Sequence, residues 1–526
     1  MTMSLESPRR WGFLDPYVAV VGVVSLVTFA LHGVTGSLSR DLSVYTYAGQ
    51  QVVDGHPPYL GILNRAGPLA HLAPALGVGI ARIVGIDDLV GARLLFMAIS
   101  VLCVCTAYLL GRDLFGSPLV GLVTAATFLS FQGFIEYASN GPREKTLMML
   151  FILLALWAMV HRWWFAAGLC VSLATLTLQI GFFAAAPAVL VALLLAPGEG
   201  GRIRALLRFV AGGLTPVLVF LGYFALVGAL KDAVDAFLVL NFRYSTSSPL
   251  TDHIGSHVNK LKEGYGVTLW FMLVGLAVLV VLSFAILSPK ARREHAWVVP
   301  VTAMGVATVV AVFWTVRDLD GWPDAFTVLP LAAVGMGALV ALCTARMPRP
   351  FRFGSGLAWV GLATVLALVF SVTQRSHVLV DQRNAVTAAL AQLPADATIV
   401  TMNAPQPLVL SGKRNPTRFM MFTGGLDQYM DDTWPGGLRQ FGRELDHGKP
   451  TLVAMGVPSR VWLKHAVKAN YVRVGKAPGW VWFARKSLGE AELRRLRDAI
   501  HHPARAAREA RAAQPASASA PVRHDR

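Results

Sequence analysis

Asp41 is the first residue of the chain whose type and position could do chemistry. It follows the first long apolar run and lies in segment 38–42, which reads LSRDL. Ionisable side chains next to hydrocarbon are costly and usually have a function, and a carboxylate in such a place is a candidate for proton transfer. The competing interpretations are a surface ion pair with Arg40 or an N-cap for a following helix. We favour a function, because the loop at 45–69 combines aromatic, glycine and proline residues that would shape a cavity.

The composition of the chain indicates a polytopic membrane protein. Of its 526 residues, 55% are hydrophobic and 15% are charged, and the mean hydropathy of +0.54 is too high for one soluble core. One further run, 68–86, contains His71 and Arg82 and could be a poor span or an amphipathic helix at the interface. The apolar runs that are long enough for a hydrocarbon layer of ~30 Å are 17–33, 91–110, 118–134, 146–160, 163–180, 182–196, 209–229, 266–287, 297–315, 326–344 and 355–374.

Basic loops decide how the 68–86 run is interpreted, because short loops rich in lysine and arginine stay in the cytoplasm. Arg9 and Arg10 place the N-terminus inside. If 68–86 does not span, the basic loops at 202–208, 290–293 and 346–352 also fall inside, and if it does span, they all move outside. We therefore predict eleven transmembrane helices. The loops at 34–90, 135–145 and 230–265 and everything after 375 then lie on the outer face.

The composition changes at about residue 376 to that of a soluble α/β segment. A predicted helix at 382–393 is followed by strand-like runs at 397–401, 451–455 and 480–483, so helical and strand periods alternate. We divide the chain into a transmembrane domain at 1–375, an extracytoplasmic α/β domain at 376–487, and a basic tail at 488–526 that is rich in alanine and arginine and partly disordered.

Motifs of several other protein classes are missing from the sequence. It has no Walker loop, dinucleotide fingerprint or HExxH segment, so we predict no cofactor, and nothing indicates a divalent metal, although one is possible. All four cysteines fall within predicted spans, which indicates neither a disulfide framework nor a zinc site. The net charge of +17 is mostly explained by the basic inner loops and the tail. It favours contacts with membrane lipids, and we predict no nucleic-acid partner.

The order of motifs in the first 200 residues resembles the GT-C superfamily of membrane glycosyltransferases. After Asp41 come a Gly-x-Pro-Pro-Tyr segment at 55–59, a basic-x-Gly-Pro-Leu segment at 65–69, an Arg-Leu pair at 93–94 and GRDLFG at 111–116. Members of this superfamily use polyprenyl-phosphate-linked sugars and include the protein O-mannosyltransferases and the lipid A aminoarabinose transferase. The later spans resemble the family only in topology.

The resemblance implies a fold, an activity and roles for individual residues. The fold would be an all-α polytopic membrane domain of the GT-C type with a structured first outer loop. The activity would be transfer of a sugar from a polyprenyl phosphate to a lipid, glycan or protein acceptor on the outer face of the cell membrane. Asp41 would take the proton of the attacking hydroxyl. Glu144, or Glu136 in its place, would be a second catalytic group that orients the acceptor or holds a metal. Cations would stabilise the leaving phosphate, and the outer-face candidates are Arg65, Arg143, Lys145 and Arg243.

Each of these roles has a structural alternative. Glu144 lies between Arg143 and Lys145 and could belong to a local ion pair, while the two basic residues could anchor a span at the interface. Arg243 could be a solvated loop charge. A different function class is also open, because a multi-pass transporter or lipid flippase would have many spans too. It would be expected to show internal repeats and broken helices at the bilayer midplane, and we find no convincing repeat. An inactive scaffold is the third possibility.

Overall fold

A computed structural model of the chain describes residues 15–198, 200–244, 254–317, 319–456, 467 and 469–513. Arg9 and Arg10, on which the predicted inner N-terminus rests, and the end of the tail lie outside the described residues. The helices are α1 (Pro16–His32), α2 (Arg40–Val53), α3 (Leu69–Val84), α4 (Asp88–Phe115), α5 (Pro118–Ser130), α6 (Gln132–Asn140), α7 (Glu144–Val160), α8 (Trp164–Thr177), α9 (Gly181–Leu195), α10 (Gly201–Leu226), α11 (Leu230–Val234), α12 (Leu240–Arg243), α13 (Ile254–Tyr265), α14 (Leu269–Ser283), α15 (Pro289–Glu294), α16 (Val298–Arg317), α17 (Leu329–Thr344), α18 (Arg349–Thr373), α19 (Val378–Leu390), α20 (Gln406–Ser411), α21 (Leu426–Thr433), α22 (Gly437–His447), α23 (Glu490–His501) and α24 (Pro503–Ala513).

Every apolar run that the sequence predicts as a span coincides with helical structure. Among the described residues, five helical stretches are long and apolar enough to cross a membrane, and the pair α5 and α6, bent by 73°, could form a sixth. The other apolar helices, such as α8 and α9, have between 10 and 17 residues. The polytopic membrane fold is therefore confirmed, while the number of eleven spans stays a prediction.

A small mixed sheet forms the α/β part that the sequence predicts after about residue 376. Its strands are β1 (Ile399–Met402), β2 (Leu452–Met455), β3 (Tyr471–Ala477) and β4 (Trp480–Arg485). They lie in the order β1-β2-β4-β3, with β1 and β2 parallel and the other pairs antiparallel. The three strand-like runs correspond to β1, β2 and β4. The sequence does not predict β3, because two basic residues and a glycine interrupt its apolar alternation.

The loop between α1 and α4 and the sheet share one hydrophobic core. Leu42 and Tyr59 from the loop belong to the same buried cluster as Trp482 from β4. Gln382 of α19 fastens the two parts together, since its Oε1 accepts a hydrogen bond from the Leu38 backbone N–H at 2.9 Å and its Nε2 donates to the Leu38 carbonyl at 3.0 Å. Burial of apolar surface and these paired hydrogen bonds hold the C-terminal segment against the loop that carries Asp41.

Arg93, near the start of α4, holds the chain on both sides of the candidate site. Its side chain is completely buried, and its guanidinium donates to the carbonyls of Val34 at 2.6 Å, Gly36 at 3.1 Å, Ser37 at 3.4 Å and Gly141 at 3.3 Å. The planar guanidinium has five N–H donors in a fixed arrangement, which suits several carbonyl groups at once. Arg93 thus joins the segment that precedes α2 to the segment that precedes α7.

Replacing Arg93 with methionine should destabilise this junction, because the carbonyls of Gly36 and Gly141 would stay buried without this donor. Each such group costs ~1–3 kcal/mol, so we expect a lower melting temperature of the purified protein in detergent and faster proteolysis within 34–67. Arg93→Lys should recover only part of the loss, because one ammonium group cannot reach all of the carbonyls. The control is Arg383→Met, which removes a partly exposed arginine. An unchanged melting temperature for Arg93→Met would contradict the role given to Arg93.

Candidate active site

Asp41 lies in the first turn of α2 and forms ion pairs with two arginines. Ser39 is the N-cap of this helix and its hydroxyl accepts from the Leu42 N–H, so Asp41 is not the cap that the sequence allows as an alternative. One carboxylate oxygen, Oδ2, accepts from Arg143 Nη1 at 2.7 Å, and the other, Oδ1, accepts from Arg40 Nε at 3.2 Å. The Asp41 side chain is 39% exposed. The carboxylate can therefore meet a substrate while both of its oxygens are held.

Arg143 is buried between two carboxylates at the start of α7. Its side chain is 7% exposed, and its Nε lies 3.3 Å from Oε2 of Glu144, whose side chain is 4% exposed. The guanidinium also lies over the ring of Tyr137, with its carbon 5.3 Å from the ring centroid, a geometry that stabilises a cation. Glu144 is thus a buried counter-charge to Arg143, which agrees with the ion-pair alternative drawn from the sequence.

Lys145 is paired with a residue that the sequence analysis does not select. Its Nζ donates to Oδ1 of Asp324, in the short 3₁₀ turn Trp322–Thr327 before α17. The other oxygen of Asp324 accepts from the backbone N–H groups of Asp320 at 2.8 Å and Gly321 at 3.0 Å. An acidic segment between two apolar runs was the available signal, but only the packing of α17 near α7 brings it to Lys145.

The pKa shifts of these groups follow from their burial and their partners. Burial alone would raise the pKa of Asp41, but the positive charges of Arg143 and Arg40 outweigh it and hold the pKa below its usual range. Burial also acts to raise the pKa of Asp324, and Lys145, together with the Gly321 N–H and Arg143, reverses this effect and lowers the pKa. Tyr45 is different, because burial and the nearby Glu144 both raise its pKa well above normal. Asp41 and Asp324 are therefore ionised at neutral pH, and Tyr45 is protonated.

The structure brings together four of the six predicted site residues. Asp41, Arg143, Glu144 and Lys145 lie together, as described above. Arg65 Nη1 donates to the Gly424 carbonyl at 2.7 Å and its Nε donates to Asn241 at 3.3 Å. Arg243 is exposed and lies over the Tyr244 ring. Among the described residues, no cluster of three or more histidine, cysteine, aspartate or glutamate side chains could hold a metal ion.

Glu136 lies beside a histidine that the sequence does not single out. Its Oε2 is 3.4 Å from Nε2 of His32, and the Glu136 side chain is 38% exposed. His32 is buried at the end of α1, where its Nδ1 lies 3.3 Å from the Ser371 carbonyl. This contact joins α1, α6 and α18 close to the loops of the site. No periodicity or motif in the sequence indicates it.

Comparisons with known proteins identify the fold. The structure of ArnT from Cupriavidus metallidurans bound to undecaprenyl phosphate matches with a TM-score of 0.60 and 15% identity, over 90% of this chain and 98% of that chain. The same protein in the apo state matches with a TM-score of 0.51 and 15% identity, over 89% and 98%. No family model and no curated protein sequence matches the chain. These matches show that the chain shares the fold of ArnT, as the sequence resemblance leads us to expect.

Arg143→Gln should destabilise the protein strongly, because Glu144 would stay buried without its cation. Breaking a buried ion pair by removing one partner costs ~3–5 kcal/mol. The double variant with Arg143→Gln and Glu144→Gln should recover much of this loss, and a double-mutant cycle of thermal denaturation measures the coupling. Arg40→Gln is the control, since Arg40 is 42% exposed and its pair contributes at most ~1 kcal/mol. A double variant as unstable as Arg143→Gln would show that Glu144 is not the reason.

Proposed function

We propose that this protein is an integral-membrane glycosyltransferase that moves a sugar from a polyprenyl phosphate to an acceptor hydroxyl on the outer face of the cell membrane. The observation that carries the proposal is the contact between Asp41 and Arg143, which brings a partly exposed carboxylate and a buried cation together from two outer loops. The shared fold with ArnT, whose structure was determined with undecaprenyl phosphate, supports a polyprenyl-phosphate donor.

The proposed transfer needs one base and stabilisation of one leaving group. The acceptor oxygen forms a bond to the anomeric carbon of the sugar while the bond between that carbon and the phosphate oxygen breaks. The phosphate leaves with the bonding electron pair, and the hydroxyl proton passes to the Asp41 carboxylate. Arg143 and Lys145 provide fixed positive charge close to the base, which lowers the energy of the charge that develops on the phosphate. The acceptor can be a lipid, a glycan or a protein.

Glu144, Arg65 and Arg243 have different places in this proposal. Glu144 is nearly inaccessible, so we propose that it positions Arg143 and that Asp41 is the catalytic carboxylate. The predicted phosphate-binding roles of Arg65 and Arg243 stay predictions, because their contacts lie with Asn241, Gly424 and Tyr244. Whether the sugar is a hexose or a pentose is also open, and the glycan and lipid profile of a strain without this protein would identify it.

Contacts between distant segments support the placement of the loops at 34–90 and 135–145 and of the chain after 375 on the same side of the membrane. Segments that touch outside the hydrocarbon lie on the same side of the membrane. Asp41 contacts Arg143, and Leu38 contacts Gln382. Both contacts fit a chain in which 68–86 does not cross the membrane, since a crossing there would separate Asp41 from Arg143.

The other end of α4 supports the same arrangement. This helix has 28 residues and is therefore about 42 Å long. Close to its far end, Asp113 contacts His161 at 2.9 Å, and Arg112 contacts Asp15 at 2.8 Å. These residues come from segments that the sequence predicts to face the cytoplasm, and they lie together as that prediction requires.

A reporter fused after Asp87 or after Gln374 should report the outer side, and a reporter fused after Lys290 should report the cytoplasm. Full-length insertion of each fusion has to be checked by its protection from protease. An outer signal after Lys290 would contradict the proposed topology and would mean that α3 crosses the membrane.

Asp41→Asn should lower turnover by about 10²–10⁴-fold, because it removes the base but keeps the size of the side chain. Asp41→Glu should be intermediate. The measurement is the rate of sugar transfer by purified protein, or the return of the missing product when variants are expressed in a strain without the protein. Asp87→Asn is the matched control, since Asp87 is also partly exposed and paired with an arginine. Near-normal transfer by correctly inserted Asp41→Asn protein would show that Asp41 is structural.

A further inference from the structure

The two arginines that hold Asp41 differ sharply in accessibility. Arg143 is 7% exposed, and Arg40, on the other oxygen of the same carboxylate, is 42% exposed. Of the three guanidinium nitrogens of Arg40, only the Nε has a hydrogen-bond partner within the described parts of the chain, and that partner is Asp41. The N–H groups at the end of the Arg40 guanidinium are therefore available to a ligand. No sequence motif selects Arg40, which stands next to the candidate base as an ordinary surface cation.

The charges of the cluster are already balanced before any donor binds. Asp41, Glu144 and Asp324 are paired with Arg143, Arg40 and Lys145, three carboxylates with three cations. A phosphate group must therefore share or displace one of the existing pairs. The cation that the phosphate contacts depends on which carboxylate would lose its counter-ion in the exchange.

Detaching either buried cation would be costly. If Arg143 moved to a phosphate, Glu144 would stay in a site with 4% exposure without its cation. If Lys145 moved, Asp324, whose side chain is 17% exposed, would lose its counter-ion. Breaking such buried pairs is strongly unfavourable. An exposed ion pair such as the one between Arg40 and Asp41 contributes less than a buried pair, so its exchange for a phosphate costs less than detaching Arg143 or Lys145.

We propose that Arg40 binds the phosphate group of the lipid donor, and that Asp41 is then held by Arg143 alone. This inference rests on the proposed function and adds a donor-binding residue next to the base. Arg143 and Lys145 keep their carboxylate partners and act on the phosphate through their fixed charge. Arginine is well suited to the contact, because its planar guanidinium can donate two parallel hydrogen bonds to phosphate oxygens.

The exchange at Arg40 couples donor binding to the basicity of Asp41. In the free protein, two arginines stabilise the ionised carboxylate and make it a weak base. When the phosphate takes Arg40, Asp41 loses one cation and gains a neighbouring negative charge, and both changes raise its pKa. The carboxylate thus becomes a better proton acceptor only after the donor is bound. The donor should therefore bind before the acceptor reacts. In the site without donor, Asp41 accepts a proton less readily.

The test is equilibrium binding of undecaprenyl phosphate to the full-length protein in nanodiscs of neutral lipid. Arg40→Gln should weaken binding by about tenfold or more, because one charge-assisted hydrogen-bonding group is lost. Arg40→Lys should retain part of the affinity. Arg383→Gln is the matched control, since Arg383 is 33% exposed and paired with a partly exposed aspartate, and its affinity should equal that of the wild type. Asp41→Asn should bind at least as tightly as the wild type, because it frees Arg40.

Three results would overturn the inference in distinguishable ways. Equal affinity of wild-type protein and Arg40→Gln would show that Arg40 does not contact the phosphate, while the proposed function would stand. A parallel loss of binding to phosphatidylglycerol at the same mole fraction would show that Arg40 attracts any anionic lipid. No binding of undecaprenyl phosphate by the wild-type protein would count against the polyprenyl donor itself and would overturn both proposals. Thermal denaturation of each variant verifies that it is folded.

Discussion

The arrangement of the candidate site depends on the buried guanidinium of Arg93. Its contacts with the carbonyls of Val34, Gly36 and Ser37 hold the segment that precedes α2, and its contact with Gly141 holds the segment that precedes α7. A charged group with no exposure to water is stable only when its donors are satisfied, so these backbone segments have to converge on it. Asp41 and Arg143, which follow the two segments, are brought together as a consequence.

The cations next to Asp41 are held in place by carboxylate partners. Glu144 holds Arg143, and Asp324 holds Lys145 with further hydrogen bonds from its own turn. Fixed charges of this kind need little rearrangement when charge develops in a reaction, and in a water-poor environment they act strongly. The same pairing makes these cations poor direct ligands. The exposed part of the cluster, where exchange is easy, is the pair of Arg40 and Asp41.

The C-terminal segment is part of the architecture around the site. Gln382 binds the backbone of Leu38, just before the turn that begins α2. Asn415 donates its backbone N–H to the hydroxyl of Tyr47 at 3.0 Å, and Leu63 donates its N–H to the carbonyl of Arg418 at 3.0 Å. The loop that carries Asp41 is therefore held between the membrane helices and the α/β segment. Displacement of the α/β segment would therefore also change the position of Asp41.

The sequence by itself determined the class of the protein and the location of its apolar helices, and it selected Asp41 as a candidate base. Hydropathy is a local property, so the apolar runs correspond to helices, and the alternation in three short runs corresponds to β1, β2 and β4. Glu144 as an ion-pair partner also followed from its neighbours in the chain. By contrast, the partnership of Lys145 with Asp324 joins residues 179 positions apart, and that of Asp41 with Arg143 joins residues 102 positions apart. Which charges meet, and which of them stay exposed, depends on how the helices pack, because a side chain's partners across the fold are not encoded in its local sequence. For that reason only the tertiary structure showed which predicted residues contact Asp41 and distinguished the accessible Arg40 from the buried Arg143.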